Sequence, residues 1–529
     1  MKDNRIYNIS FDLHTVSGIV ISVALYVIFF AGTFSFFRDE IVNWERNEPA
    51  NVATGLYIDI DAALDSLKGQ YNLNDRDVSF RRYSDERTVA VNITDSKNKA
   101  DSVKGGFYFM NTQTYQLHSY ADTYTLGEFL YRLHFFAQIP YPIGYYLSGF
   151  TALFFLFAII TGIIVHWKKI ISNFYLVRPW AKLKTVWTDA HTVLGTIGIP
   201  FQVVYAVTGA YFMIRVFLLI PTVIFMYHGD TEKIYEDLGV ELPHYEHAGQ
   251  SFNEAFTINP LIDKTTARWE DFAVTQVDIS NYGDSNMHVA VMGELDRSVR
   301  FTGAGQVVYH MPDGQEKDIK DPYKDATYVD GVVNTLTRLH YGDYAGYALR
   351  IVSFVLGLIT CFVIQSGILL WLAARNKQSI PEKKRRFNER VGHIYLALCL
   401  SMYPVTALAF IVTKLIPLEM AAERQSIIYS VYFITWLVLT IFFTIRKDNY
   451  FTNRLSLILG TGLGALIPVV SGITTGRWIW MSLIDGQYDL FVVDAMWVSL
   501  TILSVYALSR LKRKVPVSHR ELEHDAVSV

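Results

Sequence analysis

Asp12-Leu13-His14-Thr15-Val16-Ser17-Gly18 recurs as Asp189-Ala190-His191-Thr192-Val193-Leu194-Gly195, and each copy opens a long apolar segment. The register persists: Gly32 and Arg38 follow His14 at the spacings at which Gly209 and Arg215 follow His191. A second pair, Arg132-Leu133-His134 and Arg338-Leu339-His340, leads into the next apolar segment of each copy. The chain therefore carries an internal duplication that sets four histidines in two matched pairs.

Outward from these motifs, 51% of the 529 residues are apolar, which redirects the reading from soluble domains to membrane segments. Runs of about 20 apolar residues, long enough to cross a hydrocarbon core of roughly 30 Å, are read at 13–37, 145–167, 192–227, 347–372, 393–415, 427–445, 455–473 and 490–508. The expected fold is an α-helical polytopic membrane protein of about eight transmembrane helices. Pro200 and Pro221 leave the end of the third run open.

Lysine and arginine in short loops set the orientation. Lys168, Lys169, Arg178, Lys182 and Lys184 join helices two and three, and Lys377, Lys383, Lys384, Arg385, Arg386 and Arg390 join four and five. Arg446, Lys447 and Arg454 join six and seven, and Arg510, Lys512, Arg513 and Lys514 open the tail. These loops and both termini are expected in the cytoplasm, and the two long connections outside. The chain divides into a helix (1–38), an outer domain (39–144), helices two and three (145–227), a second outer domain (228–346), helix four (347–375), a basic loop (376–392), helices five to eight (393–510) and a tail (511–529). The first run lacks a small-residue cleavage site and meets Arg38, Asp39 and Glu40 directly, so it reads as a retained helix. Cys361 and Cys399 both fall in membrane runs, so the outer domains use no disulfide.

Both outer segments read as small α+β domains. Helical spacing over 58–67 precedes strand-like alternation at 89–93 and 106–109; in the second, 273–279, 288–292, 298–302 and 306–310 suggest an antiparallel sheet. Short turns within 107–116 and 299–309 match the duplication. Helices five to eight do not repeat the first four, and Gly460, Gly462 and Gly464 in the seventh fit close helix packing.

An imidazole in or at the edge of a bilayer is costly without a partner. His14, His166, His191 and His393 fall on the cytoplasmic side, and His134 and His340 on the outer side. Taken singly, each could be an interfacial residue among lipid headgroups; as matched pairs they call for another reason. Structural zinc takes four ligands and catalytic zinc three plus water, whereas the pattern supplies sets of two. Two axial imidazoles on a haem match it, the porphyrin providing the other four ligands. We expect His14 with His191 at an inner haem and His134 with His340 at an outer one, with His166 or His393 as substitutes in the inner pair. Gly18 and Gly195, one turn after their histidines, either admit the flat macrocycle or only pack helices. Arg132 and Arg338 either pair with haem propionates or are interfacial charges. No Cys-x-x-Cys-His occurs, which excludes covalent attachment of haem.

The Leu13-His14 and Ala190-His191 openings, the Arg-Leu-His leads, the Thr161-Gly162 and Ser366-Gly367 helix ends and the stretch 105–117 together resemble the PepSY-associated transmembrane family, over roughly residues 1–400. The resemblance implies PepSY modules in the periplasm of a bacterial inner membrane, two b-type haems, and reduction of a ferric siderophore or other ferric chelate. The chain departs from the family in its four extra C-terminal helices and in Ala190, where an apolar residue is usual before the histidine.

The cytoplasmic loops contain no dinucleotide fingerprint or Walker loop, so electrons are expected from a separate cytoplasmic reductant or from quinol. Two readings compete: a non-redox PepSY-type binding or regulatory protein, which leaves the paired histidines idle, and a transporter, which the duplication favours although the repeat is parallel. His228, His244, His247, His288 and His310 are either transient metal ligands or solvated loop residues. If Lys414, Glu419, Glu423 and Arg424, between helices five and six, line substrate access, their replacement should alter reduction of one chelate more than another.

Overall fold

The structure, a computed structural model, describes residues 2–49, 55–82, 88–167, 171, 175, 178, 183–230, 233–234, 245–252, 254–298, 300–417 and 420–511. Lys168, Lys169, Lys182, His244, Glu419 and the tail residues Lys512, Arg513 and Lys514 lie outside the described residues.

In chain order the elements are α1 (Lys2–Ser35), α2 (Arg38–Arg46), α3 (Ile60–Lys68), β1 (Val78–Arg82), β2 (Thr88–Ile93), β3 (Gly106–Asn111), β4 (Leu117–Ser119), α4 (Leu126–Leu133), α5 (Ile143–His166) and α6 (Leu183–Met226). There follow α7 (Asn259–Thr266), β5 (Phe272–Ser280), β6 (His288–Leu295), β7 (Ala304–His310), β8 (Gln315–Lys320), α8 (Tyr328–Tyr341), α9 (Gly346–Arg375), α10 (Glu382–Leu415), α11 (Ala421–Arg446), α12 (Asn449–Thr475), α13 (Ile479–Ile484) and α14 (Tyr488–Arg510). Eight of the described helices, α1, α5, α6, α9, α10, α11, α12 and α14, are long and apolar enough to cross a membrane. The chain is a polytopic membrane protein. Pro200 and Pro221 both lie inside α6, which runs on through them.

Among the described residues each repeat contributes a helix, four strands and a further helix between its two spans, and the first repeat adds α2 ahead of them. The two outer segments share one antiparallel sheet, in the order β4-β3-β2-β1-β5-β6-β7-β8, rather than forming two. The halves join where β1 meets β5, with Val78 opposite Ile279 and Phe80 opposite Val277. One sheet face buries these residues with Val91, Met110, Val289, Val291 and Val307 beneath α3 and α7. The outermost strands are short or charged: β4 has three residues, and β8 reads Gln-Glu-Lys-Asp-Ile-Lys, which discourages pairing with another chain.

The described residues of 298–302 form no strand, contrary to the expectation. Asp296 accepts from the backbone and hydroxyl of Ser298, each at 2.7 Å, and folds this stretch into a turn, with Val299 outside the described residues. The turn that matches the one between β3 and β4 lies instead between β7 and β8.

Helices α1, α5, α6 and α9 close a ring in which α1 packs on α5, α5 on α6, α6 on α9 and α9 on α1. α1 and α6 thus stand diagonally across its centre, where bundle cofactor sites are usually built. Helices α10, α12 and α14 pack beside the ring. Gly460 and Gly464 allow Tyr403 and Trp497 to approach α12, while Gly462 faces open space.

Helix α2 is the junction between the two parts. Its Glu45 pairs with Arg424 at 2.6 Å and accepts from the Leu126 amide at 2.7 Å, and the Trp44 indole donates to Asp494 at 2.9 Å. Lys414 lies over the Trp44 ring and donates to its carbonyl. Lys414 and Arg424 are therefore committed inside the protein and do not line an access path; Glu423 is exposed.

Candidate functional site

The repeated motif places His14 in α1 and His191 in α6, on the diagonal helices. Their rings stand 6.2 Å apart, centre to centre, at 69°. At the sheet end, α4 and α8 each begin on a threonine cap: Thr125 accepts from the Glu128 amide, and Thr327 forms a reciprocal capping box with Asp330. These helices deliver His134 and His340, whose rings are again 6.2 Å apart, at 31°.

The same ring nitrogen is engaged in all four. Nδ1 of His14 lies 2.8 Å from the Ala158 carbonyl, and Nδ1 of His191 lies 3.0 Å from the Val363 carbonyl and 3.1 Å from Ser366 Oγ. Nδ1 of His134 bonds the Tyr131 carbonyl, and that of His340 lies 2.8 Å from Thr208 Oγ1. A carbonyl only accepts, so in His14, His134 and His191 Nδ1 carries the proton and Nε2 keeps its lone pair. None of the four Nε2 atoms has a hydrogen-bond partner among the described residues. Burial holds His134 down at about 4 and, with the neighbouring His134, His340 down at about 3, so both outer rings are neutral at pH 7.

The spacing can be tested against a metal held between the rings. Two metal–nitrogen bonds of about 2.0 Å, plus about 1.15 Å from each nitrogen to its ring centre, put the centroids about 6.3 Å apart. Both pairs match this separation. Beside the outer rings an apolar cavity opens, lined by Phe29, Gly32, Phe155, Phe201, Tyr205 and Gly209 among others.

Glycines clear the space around the histidines. A Cβ at Gly162 would stand 3.0 Å from Cε1 of His14, and one at Gly367 would stand 3.2 Å from Cε1 of His191. These are the repeat-related glycines that follow Thr161 and Ser366. A Cβ at Gly18 meets nothing within 4 Å and one at Gly195 only Val363 at 3.8 Å, so no helix presses on either. Gly32, 18 residues after His14, lies against His134, so the two pairs are about 27 Å apart along the helix at about 1.5 Å per residue.

The substitutes are placed differently. His166 is near enough to His14 and His191 to interact electrostatically with both. His393 bonds Asn449 at 2.6 Å, between α10 and α12, and is not part of the inner cluster. Arg338 is held by Asp343, which Arg297 also reaches at 2.9 Å, so its guanidinium is engaged by a carboxylate of the chain rather than presented to a propionate. Arg132 lies over the Tyr120 ring. In the loops and strands outside the membrane spans, His247 bonds Asp75 at 2.8 Å with Asp284 close by, His288 stacks on Tyr245 and His310 pairs with Asp313.

Residues 11–374, the stretch that builds the ring, the sheet and both histidine pairs, match the family described as PepSY-associated TM region. The chain belongs to this family. The match ends at the close of α9, so the PepSY-associated part is the duplicated unit, and α10 to α14 lie beyond it. An uncharacterized protein of Pseudomonas aeruginosa is 22% identical over 311 residues, covering 56% of this chain and 74% of its own.

The sequence pointed to the four histidines but missed what holds them. Thr208 is unmarked by any repeat, since its counterpart is Ala31. Gly162 and Gly367 were visible as a repeated pair, and Gly32 and Gly209 as an equal spacing from the motif histidines, though only the packing shows what they adjoin.

Proposed function

We propose that this PepSY-associated membrane protein is an oxidoreductase of the bacterial inner membrane that moves electrons through two b-type haems to a periplasmic ferric siderophore or other ferric chelate, releasing ferrous iron. One observation carries the reading: two histidine pairs, each 6.2 Å between ring centres with Nδ1 bonded and Nε2 unpartnered, stand at opposite ends of one helix ring.

The residues present fit haem. His14 and His191 would hold the inner group, and His134 and His340 the outer one; bound haem supplies a one-electron carrier whose potential its axial imidazoles and surroundings tune. The chain's part is to orient each ring through its Nδ1 bond, keep Nε2 unprotonated and exclude water with the aromatic lining of the outer cavity. The separation of about 27 Å nearly spans a hydrocarbon core of roughly 30 Å. In this reading the basic loops and both termini face the cytoplasm, where a separate reductant or membrane quinol supplies electrons. The sheet faces the periplasm and borders the outer pair, and ferrous iron leaves because hard oxygen ligands hold it less tightly than ferric iron.

The test is vectorial. Proteoliposomes loaded with an internal reductant should reduce an external, membrane-impermeant ferric chelate, detected as ferrous iron by a colorimetric trap. Protein-free vesicles and the His340→Ala variant should not. Equal rates in all three would overturn the proposal.

A further inference from the structure

In each pair the histidine from the second repeat bonds a side-chain hydroxyl, while its first-repeat partner bonds only a backbone carbonyl. The two hydroxyls are not equivalent. Ser366 shares His191 with the Val363 carbonyl, so His191 has two acceptors, whereas Thr208 is the sole partner of His340 Nδ1 among the described residues.

The shorter of the two contacts of Thr208 sets the direction assigned to this bond. A threonine hydroxyl has one proton, and Thr208 Oγ1 donates it to the Val204 carbonyl at 2.6 Å, one turn back in α6. Toward His340, at 2.8 Å, it can only accept. His340 then carries its proton on Nδ1 and keeps the lone pair on Nε2. Thr208 is 1% exposed, so no bulk water replaces it. The first repeat has no such device: Ala31 occupies the position equivalent to Thr208, and His14 Nδ1 bonds the Ala158 carbonyl rather than the hydroxyl of Thr161, the counterpart of Ser366.

We propose that Thr208 is a positioning residue for the outer haem: by accepting from Nδ1–H it fixes the tautomer of His340, makes Nε2 a stronger donor to iron and holds the outer potential down. The inference rests on the haem reading above. A hydrogen-bond acceptor on the far nitrogen raises the basicity of a ligating imidazole, which favours the ferric state, so removing it should favour the ferrous state.

The experiment is a potentiometric titration of the full-length protein in detergent, following the reduced α-band and comparing wild type with Thr208→Val, Thr208→Ser and Ser366→Ala. Thr208→Val keeps the shape and removes the acceptor. It should raise the midpoint of one haem component and leave the other unmoved. Thr208→Ser should stay near wild type, and Ser366→Ala should shift the other component less, because Val363 remains. Loss of one haem in Thr208→Val but not in Thr208→Ser would also support the hydroxyl's role. Two retained haems with unchanged midpoints in Thr208→Val would overturn the inference alone, as would an equal shift in Thr208→Ser. A wild type without haem would overturn both it and the function on which it rests.

Discussion

A bound imidazole needs three things from its surroundings: a fixed ring, a free nitrogen and room. The carbonyls of Ala158, Tyr131 and Val363 and the hydroxyl of Thr208 supply the first, and their use of Nδ1 secures the second. Gly162 and Gly367 supply the third, because each gives up its side chain to a histidine edge. Gly162→Val should therefore displace His14 and cost the inner haem while the outer α-band persists; an unchanged spectrum would show that the ring tolerates the bulk. Acid should act on the outer pair. Burial lowers His134 to about 4 and His340 to about 3 from an ordinary value of 6.5, so the unfolded chain binds more protons below pH 6.5. Their contribution to stability is complete above 6.5 and is lost as pH falls toward 4 and then 3, and protons compete with iron for Nε2 in the same direction. Outer haem should stay bound from pH 7 to about 5 and dissociate only as pH falls through 4 toward 3, measured by its Soret absorbance; loss already complete at pH 6 would contradict this. The repeat pointed to the histidines whose rings stand side by side, because duplication repeats them. It did not show Thr208, which has no repeated counterpart, or the commitment of Arg338 to Asp343, which depends on how a turn folds.

Among the elements, α2 has the most to accommodate, since it buries Glu40, Asn43 and Glu45 between the duplicated ring and the C-terminal helices. Arg424 answers Glu45, and breaking a buried pair by removing one partner costs about 3–5 kcal/mol because it strands the other charge. Arg424→Met should lower the unfolding temperature in detergent, and adding Glu45→Gln, which still accepts from the Leu126 amide, should recover part of the loss. A double variant no more stable than the single would contradict this account. The long elements were legible because a span of apolar residues leaves few alternatives to a membrane helix. Short strands were less so: β1 reads Val-Ser-Phe-Arg-Arg and β8 carries a single apolar residue, Ile319, so neither shows sustained alternation. The stretch 298–302 alternates in type, yet Asp296 turns it out of the sheet.

For the whole molecule, duplication does two jobs with one symmetry. In the membrane it sets α1 and α6 on the diagonal of a ring, and outside it joins two four-stranded halves at β1 and β5 into one sheet. That fusion was not readable from either half, because it depends on which edge each half leaves open. If the two histidine pairs hold two separate haems, each haem can be lost without the other. Pyridine haemochrome assay of the purified, haem-sufficient protein should give two b-type haems per chain, falling to one in His340→Ala and to one in His191→Ala, each variant losing a different component of the reduced spectrum. No haem in the wild type, or loss of both or of neither in the single variants, would contradict it.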